Sequence, residues 1–251
     1  MSEARVRTLQ IIPIQHVPEI TPGINLSECL RNGIKASGLE IEKGDIVAAT
    51  QKIISKAEGR VVRLTDVSPS AFALLIAEQV DKDPRLIEVI LRETRRIVRM
   101  RSDVMICETH HGFICANAGV DSSNVDNGSV TLLPKDPDRS ARELAQYLGC
   151  GVIVTDTFGR VWRDGLLDAA IGISGVPPLV DLRGKVDRYG NSLQVTVLAS
   201  ADALAAAAGL AMGKTEETPA AFIRGFHWEQ PKTDDHTIKA LLRAPERDLF
   251  L

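Results

Sequence analysis

Three stretches of the sequence concentrate groups able to act on an anionic substrate. TQKIISKAEGR at 50 to 60 carries Gln51, Lys52, Ser55 and Lys56 behind an apolar run. A lysine beside a turn pairs with phosphate as a compact point charge. The plainer alternative is two solvated surface ammonium groups. CANAGVDSSNV at 115 to 125 carries Asp121, a hard oxygen donor suited to magnesium or manganese, and Asn124, whose amide both donates and accepts. The same Asp-Ser-Ser-Asn run is good Asx-turn chemistry. VTDTFGRVWRDG at 154 to 165 adds Asp156 as a second carboxylate, Thr157 as a hydroxyl, and Arg160 and Arg163 as partners for a polyphosphate or a substrate carboxylate. Its plainer alternative is a turn capped by Asp156, with the arginines paired to Asp164 or Asp168.

No one of these residues decides the matter, but the set is chemically coherent. Magnesium takes one or two protein carboxylates and shares its remaining positions with phosphate and water. Two aspartates at separate strand ends plus a lysine meet that requirement. The chain has no GxxxxGK[ST] and no GxGxxG after a strand, so neither a P-loop nor a Rossmann site is supported. His110 and His111 could serve acid–base chemistry or contact substrate, but they lack metal-ligand spacing such as HExxH. Arg92, Arg95, Arg96, Arg99 and Arg101 form a basic run that could attract an anion or could be a solvated helix face.

Each stretch must be held by a regular element. Apolar runs predict strands over residues 7 to 14, 45 to 50, 104 to 107, 112 to 120, 130 to 134, 151 to 155, 193 to 200 and 219 to 225. Helical spacing predicts helices over 26 to 38, 69 to 81, 84 to 100, 136 to 149 and 201 to 213. Residues 120 to 129 read as a turn-rich loop, and 154 to 165 as a strand end passing into a turn. In that turn Gly159 and Gly165 are expected where backbone bends tightly or approaches a ligand. Strands and helices mix without regular βαβ repetition, which predicts an α+β fold. The 251 residues suit a single domain, with two subdomains as the alternative.

Composition removes several classes. The net charge of −3 and an aromatic content of 4% give neither a basic footprint nor a base-stacking platform, so no nucleic-acid partner is expected. Cys29, Cys107, Cys115 and Cys150 are scattered and make no CxxC pair, which fits free thiols in a reducing compartment. The N-terminus does not resemble a signal peptide, and the apolar stretch at 203 to 212 is about half the length a bilayer needs. A cytoplasmic protein without a membrane partner is expected.

Together, SKAEGR, ETHHGFICANAGVDSSNV, VTDTFGRVWRDGLLDAAIG and RGKVDRYGN resemble the coenzyme F420-0:L-glutamate ligases, from about residue 11 to residue 226. The resemblance implies a two-part α+β fold and an intertwined homodimer. It also implies GTP-dependent addition of L-glutamate to F420-0, with extension of a gamma-linked tail through an acyl phosphate. GDP and phosphate are released. Magnesium or manganese is implied, as two divalent ions per site, with potassium assisting.

Carried over by matching position, Asp121 and Asp156 are expected to ligate one divalent ion and Thr157 a neighbouring one. Val17, Pro18, Glu19, Ile20, Gln51, Lys56 and Asn124 are expected at GTP, and Gly213, Lys214, Thr215 and Glu216 in a late nucleotide-and-metal loop. Gln51 departs from the small hydroxyl residue of some relatives; a backbone contact would survive that change. The chain ends at LRAPERDLFL, so the flavin-binding reductase-like domain of some relatives is expected to be absent, leaving ligase activity alone. No side chain is assigned as general base. Without the resemblance, a metal-dependent hydrolase of a phosphorylated metabolite and a non-catalytic nucleotide-binding protein remain open. Phosphate release without any need for glutamate would mark the first, and GTP binding without turnover the second.

Overall fold

A computed structural model describes residues 8–228 and 236–249. In chain order, the first half of the described chain holds β1 (Gln10–Pro13), α1 (Leu26–Ala36), β2 (Ile46–Thr50), α2 (Gln51–Ala57) and β3 (Val61–Arg63). Then follow α3 (Ala71–Val80), α4 (Pro84–Glu93), β4 (Thr94–Met100), β5 (Met105–Thr109) and β6 (Ile114–Ala116). The second half holds β7 (Ser129–Thr131), α5 (Pro137–Leu148), β8 (Gly151–Arg160) and β9 (Arg163–Ser174). It closes with β10 (Val180–Asp181), β11 (Val197–Leu198), α6 (Ser200–Met212) and β12 (Ala220–Arg224). The fold is α+β, as the mixed pattern of the sequence predicts. The expected start of the first strand, at residue 7, lies outside the described residues.

The main sheet has the order β1-β12-β2-β8-β9. Only β2 and β8 run parallel, their pairing ending at Thr50 opposite Thr155. From Ile46 to Ala49, β2 is fully buried because both sheet faces are covered. The core around this sheet joins Phe222, Ile46, Ile153, Ile171 and Leu30. A second hydrophobic cluster unites α3 and α4 with β5, through Ile76, Val80, Ile87, Ile90 and Met105. The three-stranded sheet β4-β5-β6 accompanies it.

Several expectations are corrected. Residues 84 to 100 are not one helix, for α4 stops at Glu93 and the chain becomes β4. Thr94 is extended, and its hydroxyl donates to the Ile90 carbonyl at 2.6 Å, closing the helix end while β-branched Ile97 and Val98 enter the sheet. Residues 193 to 200 form a strand only at Val197–Leu198. Strand pairing beyond Ala116 gives way to a 3-10 turn at Asn117–Gly119. Residues 130 to 134 pair only as far as Thr131.

The strand at 151 does not end near Asp156. It runs to Arg160, turns over Val161 and Trp162, and returns as β9. Trp162, at φ 65°, takes the left-handed conformation that the tight hairpin turn requires. Gly165 has φ 82°, as expected of a special backbone position, whereas Gly159 has no positive φ.

Candidate functional site

The parallel pair β2/β8 explains why distant sequence stretches converge. Because Thr50 and Thr155 are register partners, the start of α2 and the outer half of β8 lie at the same end of the sheet. Lys52 and Asp156 are therefore delivered together. Ligands of open α/β sheets gather at carboxyl ends of strands for the same geometric reason.

Asp121 lies between β6 and β7, fixed by reciprocal backbone bonds with Thr131 at 2.8 and 3.0 Å. Its Oδ1 accepts the Ser123 N–H at 2.8 Å and its Oδ2 the Ser123 hydroxyl at 2.8 Å, so the Asx turn is formed. Lys52 Nζ stands 2.7 Å from the same Oδ2 and 2.5 Å from Ser123 Oγ. Burial works to raise the Asp121 carboxyl, but the Lys52 ammonium and the Ser123 donors outweigh it and hold it low.

Asp156 is in the opposite condition. Part of its surface reaches solvent, yet protein packs closely enough round the carboxyl to push it up to about 7. Desolvation is the main cause; the charges of Asp121 and Asp168 add to it, while the Thr157 N–H, 2.8 Å from Oδ1, opposes it. Successive strand residues face opposite sides. Thr157 is the register partner of Asp168, and Asp156 that of Ala169. Asp156 therefore looks toward the Asp121 side of the hairpin and Thr157 toward α6. There the Thr157 hydroxyl donates to Asp168 Oδ1 at 2.7 Å, and Lys214 Nζ lies 2.8 Å from both oxygens.

The other expected residues fall into groups. Lys56 Nζ meets Glu19 Oε1 at 2.5 Å, joining α2 to the segment of Val17, Pro18, Glu19 and Ile20. Gln51 is buried and its side-chain oxygen accepts from Ser55 at 2.8 Å. Asn124 is exposed and left-handed, at φ 56°. After α6, Gly213 takes φ 65°, Lys214 reaches the hairpin, and Glu216 accepts from Thr215 N and Oγ1 at 2.8 and 3.1 Å.

The remaining candidates are drawn into structure. Arg160 donates to the Asp164 carbonyl at 3.0 Å, within the hairpin turn. Four arginines of the basic run are answered by acids: Glu88 takes Arg92, Glu108 takes Arg95 and Arg96, and Asp103 takes Arg101. His110 reaches the Arg92 carbonyl, while His111 reaches the Pro134 and Lys135 carbonyls and stacks on Phe113. The cysteines among the described residues are free.

Two contributors named in the sequence carried no expected role in the site. Asp168 sits in GLLDAAIG, whose apolar residues do not alternate, so β9 is unmarked and no reason appears for one aspartate to matter. Lys52, one of two lysines in its stretch, could be ranked only by contact with Asp121.

A cleft of about 430 Å³ opens at the other end of the sheet, at the amino ends of β2 and β8, between Gly44, Asp45, Leu148, Cys150 and Trp228. None of the expected site residues lines it, and its Asp45 is held by Arg224 at 2.7 Å. Among the described residues no helix is long and apolar enough to cross a membrane, and no group of three or more His, Cys, Asp or Glu is close enough to hold a metal by itself.

Carboxylates, a hydroxyl and lysines are thus gathered where the parallel pairing of β2 and β8 ends. Residues 15–225 match the family model described as F420-0:Gamma-glutamyl ligase. A protein of Methanopyrus kandleri named coenzyme F420:L-glutamate ligase is 45% identical over 97% of this chain and 98% of its own length. Proteins of the same name from Methanothermobacter thermautotrophicus and Methanocaldococcus jannaschii are 41% and 39% identical, over 96% and 90% of this chain and 98% and 90% of theirs. The chain belongs to the F420-0:gamma-glutamyl ligase family.

Proposed function

We propose that this protein joins the amine of L-glutamate to a carboxylate of F420-0 and extends the product through gamma-linked amides, driven by GTP. The observation that carries this reading is a pair of polar groups flanking β8 just beyond Thr155, Lys52, Asp121 and Asp156 on one face and Thr157, Asp168 and Lys214 on the other, in a chain with relatives of that name. Amide formation from a carboxylate is uphill in water. The carboxylate of F420-0 attacks the terminal phosphorus of GTP and GDP leaves. The glutamate amine then displaces phosphate from the acyl phosphate and loses a proton. Positioning and charge neutralisation carry most of such a reaction.

The residues fit divalent cations. Two oxygen-rich clusters already accept ammonium groups, one at Asp121 and one at Thr157 and Asp168. Asp156, crowded by two like charges, gains from any added positive charge. Asp121 and Asp156 would hold one magnesium or manganese ion and Thr157 a second, with potassium assisting. Bound cations would neutralise phosphate oxygens and the charge that develops during transfer. Lys56, the segment at residues 17 to 20, the Gln51 backbone, Asn124 and the loop at 213 to 216 would seat the nucleotide. The working unit is a homodimer in this reading.

The test is an assay of purified protein with F420-0, GTP, glutamate and Mn²⁺, followed by mass spectrometry. Products heavier by glutamate units are expected, together with GDP. Asp156→Ala should remove turnover while circular dichroism stays unchanged. No added glutamate with Mn²⁺, with Mg²⁺ or with K⁺ present would end this reading, and near wild-type turnover of Asp156→Ala would remove that residue from it.

A further inference from the structure

Asp168 is nearly sealed from solvent, its side chain 3% exposed, yet its carboxylate is held by an exposed lysine from another element. Lys214 keeps 61% of its side chain in solvent, so neither burial nor packing fixes its ammonium. What fixes it is Asp168 Oδ1 and Thr157 Oγ1, each at 2.8 Å. The direction of the bonds matters. A carboxylate only accepts, so the Thr157 hydroxyl must spend its proton on Asp168, 2.7 Å away. A lone pair on Thr157 Oγ1 is then turned outward, toward the place the Lys214 ammonium occupies. If the threonine hydrogen pointed elsewhere, the oxygen would present a donor to that same place.

Room for this arrangement is made by α6. A Cβ at Gly209 would lie 2.6 Å from Asp168 Oδ2. Gly209 has no positive φ and sits inside a helix, where glycine costs stability relative to alanine. Its presence there is explained by the carboxylate beneath it.

We infer that Asp168 is a positioning residue of the ligase: it orients the Thr157 hydroxyl as an acceptor toward cations and docks Lys214, and with it the loop at 213 to 216, onto the β8–β9 hairpin. This rests on the reading of Thr157 and Lys214 as site residues. Its action runs through Thr157 and Lys214, the two side chains its carboxylate holds. Orienting groups of this kind alter metal affinity or activity by about ten- to a hundredfold when removed.

Two variants test it. Asp168→Asn keeps the shape but introduces a donor and removes the charge. Gly209→Ala leaves Asp168 in place and favours the helix, but drives a methyl group against the carboxylate. Mn²⁺ affinity is measured from the free-ion electron paramagnetic resonance signal in the presence of GTP, and kcat and KM for GTP are measured separately. Both variants are expected to lose at least about tenfold in Mn²⁺ affinity and to fall in kcat, while circular dichroism is unchanged. Mn²⁺ affinity and kcat within about twofold of wild type in either folded variant would overturn the inference. Should Asp168→Asn fail to fold, Gly209→Ala decides alone. Wild-type protein that binds no Mn²⁺ and adds no glutamate would count against the ligase reading instead, so the two failures are told apart.

Discussion

Lys52 Nζ lies 2.7 Å from Asp121 Oδ2, an ion pair between residues separated by 69 positions, with side chains 18% and 39% exposed. It ties the start of α2 to the loop between β6 and β7, and it places an ammonium at the carboxylate where a divalent ion is proposed. Lys52→Met should therefore destabilise the metal-free protein by about 1 kcal/mol, because Asp121 loses its counter-charge in a partly screened setting. Added Mn²⁺ should restore most of that loss. Thermal unfolding with and without Mn²⁺ reads both effects, and a variant whose midpoint ignores Mn²⁺ would refute the shared position.

Asp156 predicts a pH dependence. Its carboxyl is pushed up to about 7 in the fold, against about 3.9 in an unfolded chain. Between those values the folded state binds more protons, so stability contributed by the neutral acid is full below about pH 4 and is lost as pH rises through about 7. The metal-free wild type should accordingly lose stability across that window, and Asp156→Asn should lose less. Urea unfolding at several pH values measures the difference, and parallel curves for the two proteins would exclude the assigned titration.

Lys56 bears on the nucleotide. With its ammonium at Glu19 and its stem mostly covered, it is well placed to add a fixed positive charge beside the segment at 17 to 20. Lys56→Ala should raise KM for GTP by about tenfold, roughly 1.4 kcal/mol, with a smaller change in kcat. An unchanged KM would move the nucleotide away from α2.

Gly172 tests the frame rather than the chemistry. Its missing side chain lets β9 meet the first turn of α5: an added Cβ would lie 2.7 Å from Pro137 Cβ and closer still to the Pro137 carbonyl. Gly172→Ala should cost about 3 kcal/mol, the upper end for overpacking a filled core. A loss under about 1 kcal/mol, read by denaturant unfolding, would show that α5 can shift.

The α+β class was legible because apolar runs and helical spacing alternate without a βαβ rhythm, and most elements fell where those patterns stood. Two of the failures share one cause. At residues 94 to 100 and 156 to 174 the backbone is decided by pairing partners, which a local pattern does not contain. Thr94–Met100 is a strand because β5 is beside it. TDTFGR stays extended past Asp156 because β9 lies beside it.

By itself the sequence determined which groups are present: aspartates, a threonine hydroxyl, lysines, and motifs long enough to mark the family. It could not determine their direction. Period-two alternation along β8 sends Asp156 and Thr157 to opposite faces, and the register of β9 sets Asp168 under Thr157. A bulge between Thr155 and Val154 pairings lets the same strand present Gly172 to α5 and Asp168 to α6. Those choices depend on contacts between residues far apart in the chain, and only the packed sheet supplies them.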